Sequence, residues 1–116
     1  MNNYKELKVW QRSVELAVKI YKETKEFPST EVYGLTSQIR RAACSVPSNI
    51  AEGAGRSSNK EFQHFLSISL GSAFEMETQL IIAQQLNFIP EHEFSLIIIE
   101  ISEIEKMIRG LQKSLN

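Results

Sequence analysis

The stretch Ser58-Asn-Lys-Glu61-Phe62-Gln-His-Phe65-Leu66-Ser-Ile-Ser69-Leu-Gly-Ser-Ala73-Phe-Glu75-Met76-Glu-Thr-Gln-Leu80-Ile-Ile-Ala83 decides the fold. It opens with a capping box: the Ser58 hydroxyl can accept from the Glu61 amide while the Glu61 carboxylate reaches back to the helix start. From there Phe62, Leu66, Ser69, Ala73, Met76, Leu80 and Ala83 follow one another in alternating steps of four and three. That spacing lines one stripe of an α-helix and matches a seam between nearly antiparallel helices. The stretch therefore predicts a long helix that needs a partner.

The partner is legible downstream. Phe94, Ile97, Ile101, Ile104, Ile108, Leu111 and Leu115 repeat the same spacing. Within it, Leu96-Ile-Ile-Ile99 looks locally like a strand, but the length of the pattern and the lack of a pairing strand favour helix. Upstream, Leu35, Ile39, Ala42, Val46 and Ile50 carry an apolar face past Pro47. Proline there removes one amide donor and collides with the carbonyl of Ala43, so a kinked helix is expected instead of a break. Its small neighbours Ala42, Ala43, Cys44, Ser45, Ser48 and Ala51 would admit another helix closely.

Pro28, the Gly53 to Ser58 stretch and Pro90 act as boundaries and leave four helices, over about 6–26, 31–53, 58–87 and 90–115. The first helix places Leu7, Trp10, Val14, Ala17, Val18 and Tyr21 on one face, expected to enter the core. A second stripe of Val9, Leu16 and Ile20, with Ser13 and Thr24 between, widens the weakly polar arc to roughly 200°, against the roughly 100° usual for a surface helix. Two explanations stand: the second stripe is a subunit interface, which is expected, or the helix is more enclosed within its own monomer. The fold class is all-α, an antiparallel up-down-up-down four-helix bundle with its second helix kinked at Pro47, in one domain over 1–116.

Composition narrows the function. No apolar run approaches the roughly 18 residues needed to span a bilayer, and Met1-Asn-Asn-Tyr-Lys-Glu6 has no apolar leader, so a cytoplasmic setting is expected. Cys44, the single cysteine, permits no intrachain disulfide and no cysteine-rich metal site, and among small neighbours it is expected to be a buried structural thiol. His64 and His92 fall in different helices outside any HExxH or Glu-x-x-His pattern, and His92, between Glu91 and Glu93, belongs on a solvated surface. No catalytic constellation, metal set or cofactor motif emerges, and the expected class is a binding or assembly module and not an enzyme.

Charge is unevenly distributed. Residues 1–60 hold ten Lys or Arg against six Glu, and residues 61–116 hold three against eight, giving +4 and −5. Arg12, Lys19, Arg40, Arg41, Arg56 and Lys60 are the candidates for contacting a nucleic-acid backbone. Against that, Glu15, Glu23 and Glu26 can pair with the cations of the first helix, and no aromatic residues interleave them for base stacking. The turn Gly53, Gly55, Arg56, Ser57 and Ser58 is a candidate anion site, because free amides at a helix start beside cations hold phosphates. It lacks P-loop spacing, so a serine-capped turn is the more economical account.

The segment Gln38-Ile-Arg-Arg-Ala-Ala-Cys-Ser-Val-Pro-Ser-Asn-Ile-Ala-Glu-Gly53, with Gly55-Arg56, Glu61-Phe62, Phe65-Leu66 and Gly71-Ser-Ala-Phe-Glu75, resembles the four-helix-bundle proteins encoded in intervening sequences of bacterial 23S ribosomal RNA genes. Trp10-Gln11, Phe27-Pro28 and Tyr33-Gly34-Leu35 extend the resemblance over nearly the whole chain. It implies a kinked bundle forming a ring-like homopentamer in a bacterial cytoplasm, with structured RNA or a protein as partner. A related branch, the accessory variability determinant of diversity-generating retroelements, partners a reverse transcriptase and binds nucleic acid through a strongly basic surface. This chain departs from that branch, with a pI near 6.1 and an acidic second half.

Overall fold

A computed structural model describes residues 3–116; Met1 and Asn2, part of the stretch read as lacking a leader, lie outside the described residues. Four α-helices follow a short 3-10 turn at Tyr4–Glu6: α1 (Lys8–Thr24), α2 (Leu35–Ala54), α3 (Asn59–Gln85) and α4 (Glu91–Ser114). No strand occurs among the described residues. Each helix packs against its sequence neighbour and α1 closes the set against α4, which makes an elongated four-helix bundle of 43 × 24 × 20 Å. The α2–α3 pair is the most extensive of these contacts.

Connections end helices by identifiable chemistry. Before α2, Ser29–Glu31 forms a 3-10 turn, so the helix begins four residues later than the spacing predicts. The Glu31 carboxylate accepts from the Leu35 amide at 3.1 Å, capping α2 from the preceding turn. A Cβ at Gly34 would lie 2.9 Å from Glu31 Oε1, the oxygen that makes this cap. At the α2–α3 turn, Ser58 Oγ accepts from the Glu61 amide at 3.2 Å, as the capping box requires. Past α3, Asn87 sits at φ 63° while the Phe88 amide donates to Ala83 O at 2.9 Å and the Asn87 amide to Gln84 O at 3.0 Å. That is a Schellman ending with asparagine at its left-handed position. Phe88 then packs on Phe27, ring centroids 5.7 Å apart.

The two long seams occupy the core as their spacing predicts. All seven α3 seam residues are buried, as are Ile97, Ile101, Ile104 and Ile108 of α4. α2 runs without interruption through Pro47 and buries Ile39, Ala42, Val46 and Ile50. Its small residues admit α3: Ser69 Oγ donates to Val46 O at 2.8 Å, and Ser45 and Ser72 hydroxyls meet at 2.9 Å. Gly53 marks the closest approach, since a Cβ there would lie 2.8 Å from Phe65 Cβ and 2.9 Å from the Phe62 ring. Packing alone therefore requires a glycine there.

The first helix is rotated from expectation. Val9, Leu16 and Ile20, expected at a subunit interface, are buried in the protomer's own core, so they cannot serve as an assembly surface. Val18 and Tyr21, expected in the core, are 50% and 42% exposed. Ser13 and Thr24 explain the reversal. Their hydroxyls bond back to Trp10 O at 2.9 Å and Ile20 O at 2.8 Å, which satisfies them inside the helix and lets both be buried. The seam of α1 is therefore Val9, Ser13, Leu16, Ala17, Ile20 and Thr24.

Candidate functional site

Most candidate cations are already engaged. Arg12 pairs with Glu103 and touches Met107 Sδ at 3.8 Å, and Lys19 reaches Glu100 at 3.6 Å. The hydrogen bond to Glu103 raises the Arg12 pKa further above its ordinary range. These partners lie across the bundle on α4, not on α1 as the sequence suggests. Arg40 donates from Nε to Thr24 Oγ1 at 2.9 Å and from Nη2 to Tyr21 O at 3.3 Å, its guanidinium 4.7 Å from the Tyr21 ring centre. It locks α2 to the end of α1. Arg56 pairs with Glu52 at 2.9 Å and stacks 4.8 Å over Phe65. Arg41 and Lys60 remain exposed, and no ion pair among the described residues involves either.

The turn at Gly53 to Ser58 is internally satisfied. Gly53 and Ala54 complete α2, the Gly55 amide donates to Ala51 O and the Arg56 amide to Gly53 O, each at 3.1 Å. Ser57 and Ser58 hydroxyls both donate to Glu61 Oε1 at 3.2 Å. A carboxylate of the chain itself thus stands at the start of α3, where a bound anion would have to sit. These bonds account for Gly53, Gly55, Arg56, Ser57 and Ser58 as a serine-capped structural turn.

A different feature emerges on the α1–α2 face. Val14, Ala17, Val18, Tyr21, Cys44 and Pro47 line a largely apolar groove of about 530 Å³, with Lys22 and Lys25 completing its wall. Cys44 is exposed there, correcting the expected buried thiol, and its Sγ lies 3.7 Å from the Tyr21 hydroxyl. The small residues around Cys44 face α3 on one side of α2 and leave this groove on the other. The stripe Val14, Val18 and Tyr21 was visible in the sequence; only its assignment to core was wrong.

α3 carries a second apolar face that its seam spacing does not reveal. Ile68, Phe74, Ile81, Ile82 and Leu86 are each between 39% and 53% exposed, on the side turned away from the core. A helix apolar on both sides is normally enclosed on both. The signal was present in the sequence as branched aliphatics lying off the seam.

One carboxyl pair was also not legible. Glu105 of α4 lies within hydrogen-bonding reach of Glu77 on α3, and burial, then Glu77, push Glu105 up to about 7. Glu105 Oε2 is buried without a partner. Arg109, one turn further on, leans 5.8 Å over the Phe74 ring. Glu23 is likewise raised, first by burial and then by Glu93. No group of three or more His, Cys, Asp or Glu among the described residues is placed to hold a metal, and no described helix is long and apolar enough to cross a membrane.

The fold defines a four-helix-bundle protein in which Arg12, Lys19 and Arg40 fasten one helix to another. Residues 5–110 match the 23S rRNA-intervening sequence protein family, and the chain belongs to that family. Among solved structures it is similar to a protein of unknown function from the S23 ribosomal protein family of Bacteroides thetaiotaomicron. The two are 28% identical, with a TM-score of 0.82 over 90% of this chain and 98% of that one. No curated protein matches.

Proposed function

We propose that the protein is a non-catalytic, self-associating helical bundle whose working form is the homo-oligomer, a ring-like pentamer in the resemblance drawn from its sequence. The observation that carries this is the outer face of α3, where five large apolar side chains stand in water in the isolated protomer. Patches of this kind mark interaction surfaces on otherwise ordinary globular chains. Light scattering at micromolar concentration is expected to give a multiple of the protomer mass, and Ile82→Asp to reduce it while the helical content is kept. A monomeric wild type would overturn the proposal.

Arg41 and Lys60 favour a second role, contact of the assembled bundle with structured RNA, since both cations are exposed and neither is held by a carboxylate among the described residues. Phosphate contacts make such binding salt-dependent. A mobility-shift series with structured ribosomal RNA should show a complex at low salt that weakens as salt rises. Absence of a complex at low salt, together with nuclease-resistant recovery of a stoichiometric protein from the native host, would instead support a scaffold for a partner enzyme such as a reverse transcriptase.

A further inference from the structure

We propose that a polar pocket between α2 and α3 binds a free α-amino acid, its carboxylate held from α2 and its ammonium from α3. The pocket, of about 330 Å³, is lined by Gln38, Arg41, Ala42 and Ser45 of α2 and by Glu75 of α3. None of these residues belongs to the apolar groove or to the five apolar side chains on the outside of α3, and the inference needs no self-association. Arg41 and Glu75 are both exposed, and no ion pair among the described residues joins them. Two opposite charges thus line one pocket without neutralising each other.

The two walls differ in the hydrogen bonds they offer. Gln38, Arg41 and Ser45 follow at helical spacing on one face of α2. Gln38 Oε1 accepts from Gln79 Nε2 at 3.3 Å, so its own amide N–H groups remain to donate. Ser45 Oγ accepts from Asn49 Nδ2 and meets Ser72 Oγ, each at 2.9 Å; with Ser72 the donor of that pair, the Ser45 proton is free for a ligand. Together with the Arg41 guanidinium these make a donor set for a carboxylate. The α3 wall offers acceptors instead. Glu75 Oε2 accepts from Gln79 Nε2 at 3.4 Å while its other oxygen stays open to a ligand. Gln79 is only 7% exposed and ties one residue of each wall in place, and its own Oε1 is buried without a donor. A phosphate would meet Arg41 but be repelled by Glu75, and a polyamine the converse. No aromatic side chain lines the pocket to stack a nucleobase. An amino acid carries both charges on one carbon, and the volume, at the small end of ligand sites, suits a molecule of that size.

Titration calorimetry and NMR of the whole chain with each standard amino acid test this. At least one should bind saturably, with the Gln38 and Gln79 side-chain amide signals moving as it does. Arg41→Gln and Glu75→Gln should each weaken that binding at least about tenfold, the loss of one charge-assisted contact. Both residues are exposed, so both variants should keep the helical content of the wild type. The N-trimethyl derivative of the same amino acid keeps both charges but has no ammonium N–H, and it should also bind at least about tenfold more weakly. Should a variant lose helical content, the glutamine signals and the N-trimethyl comparison decide the matter on the wild type alone. No saturable binding up to concentrations on the order of 10 mM would overturn the proposal. So would binding that moves neither glutamine amide, that survives both substitutions, or that tolerates the N-trimethyl group. None of these readings depends on oligomer mass, so their failure leaves self-association standing.

Discussion

Replacing Glu105 by Gln should stabilise the protein at mildly alkaline pH and leave it unchanged in acid. Burial and the Glu77 carboxylate move Glu105 from its ordinary 4.5 to about 7 in the folded state. The folded protein therefore holds a proton that the unfolded chain releases between those values, and unfolding stability falls as pH rises through that window. Below the lower value both states are protonated and nothing is lost; above the upper one the full penalty stands. At full strength the difference corresponds to about 3 kcal/mol. The site is partly open to water, and screening reduces this to about 1 to 2 kcal/mol. Gln keeps a donor toward Glu77 and removes the second charge. For a chain of this size the variant should melt roughly 4 to 8 °C higher than wild type near pH 8 and within about a degree of it near pH 4. Both curves must be taken at one protein concentration, because association itself stabilises. Parallel pH profiles, or a Gln variant less stable in alkali, would refute the shared-proton account. Glu23, raised by burial and Glu93, adds to the pH slope of both proteins and cancels in the comparison.

Other consequences concern the bundle. Leu16→Glu or Ile20→Glu should abolish cooperative folding by circular dichroism, since either buries an unpaired charge in a core where Ile20 is 0% exposed; a folded, monomeric variant would restore these residues to an interface. Gly53→Ala should cost about 1 to 3 kcal/mol in chemical unfolding through its collision with Phe62 and Phe65, and an unchanged midpoint would show that α2 can retreat freely. Asn87→Gly should be neutral or stabilise by up to about 1 kcal/mol, while Asn87→Val should destabilise by about 1 to 2 kcal/mol, because its φ of 63° disfavours branched side chains; equal midpoints for the two variants would contradict the left-handed ending.

Legibility in the sequence followed from how local each interaction is. The seams of α3 and α4 could be read because period and burial coincide there, and the Ser58 cap because its partners lie three residues apart. α1 was misrotated because Ser13 and Thr24 look polar in a sequence, whereas back-bonding to their own helix makes them core residues. The cations were misjudged for a related reason. Arg12 and Lys19 have local glutamates available, but the register of α1 against α4 supplies Glu103 and Glu100, separated from them by most of the chain. The Glu77–Glu105 contact depends on the α3–α4 register in the same way and leaves no trace in spacing. Gly53 was visible as a glycine, but only the crossing of α2 over Phe62 and Phe65 distinguishes a packing glycine from a phosphate-binding one.

The proposed assembly bears on what the unengaged candidate cations can do. Among the candidate cations, one protomer leaves Arg41 and Lys60 unengaged, and neutralising two phosphates through them gives a salt slope of only about −1.8 on duplex nucleic acid. Freeing Arg12, Lys19 or Arg56 would forfeit an ion pair to Glu103, Glu100 or Glu52, so those residues are poor substitutes. Arg40 would have to abandon Thr24 and the Tyr21 carbonyl, loosening α1 from α2. On the proposed RNA role, Arg41 and Lys60 of a single bundle would hold RNA weakly, and their repetition around an oligomer would strengthen the contact. RNA affinity and its salt slope should therefore fall together when Ile82→Asp disperses the assembly, although that substitution touches neither cation. An assembly-deficient protein that bound structured RNA with the wild-type slope would show that the bundle itself is the binding unit, and that the apolar face of α3 serves some end unrelated to RNA.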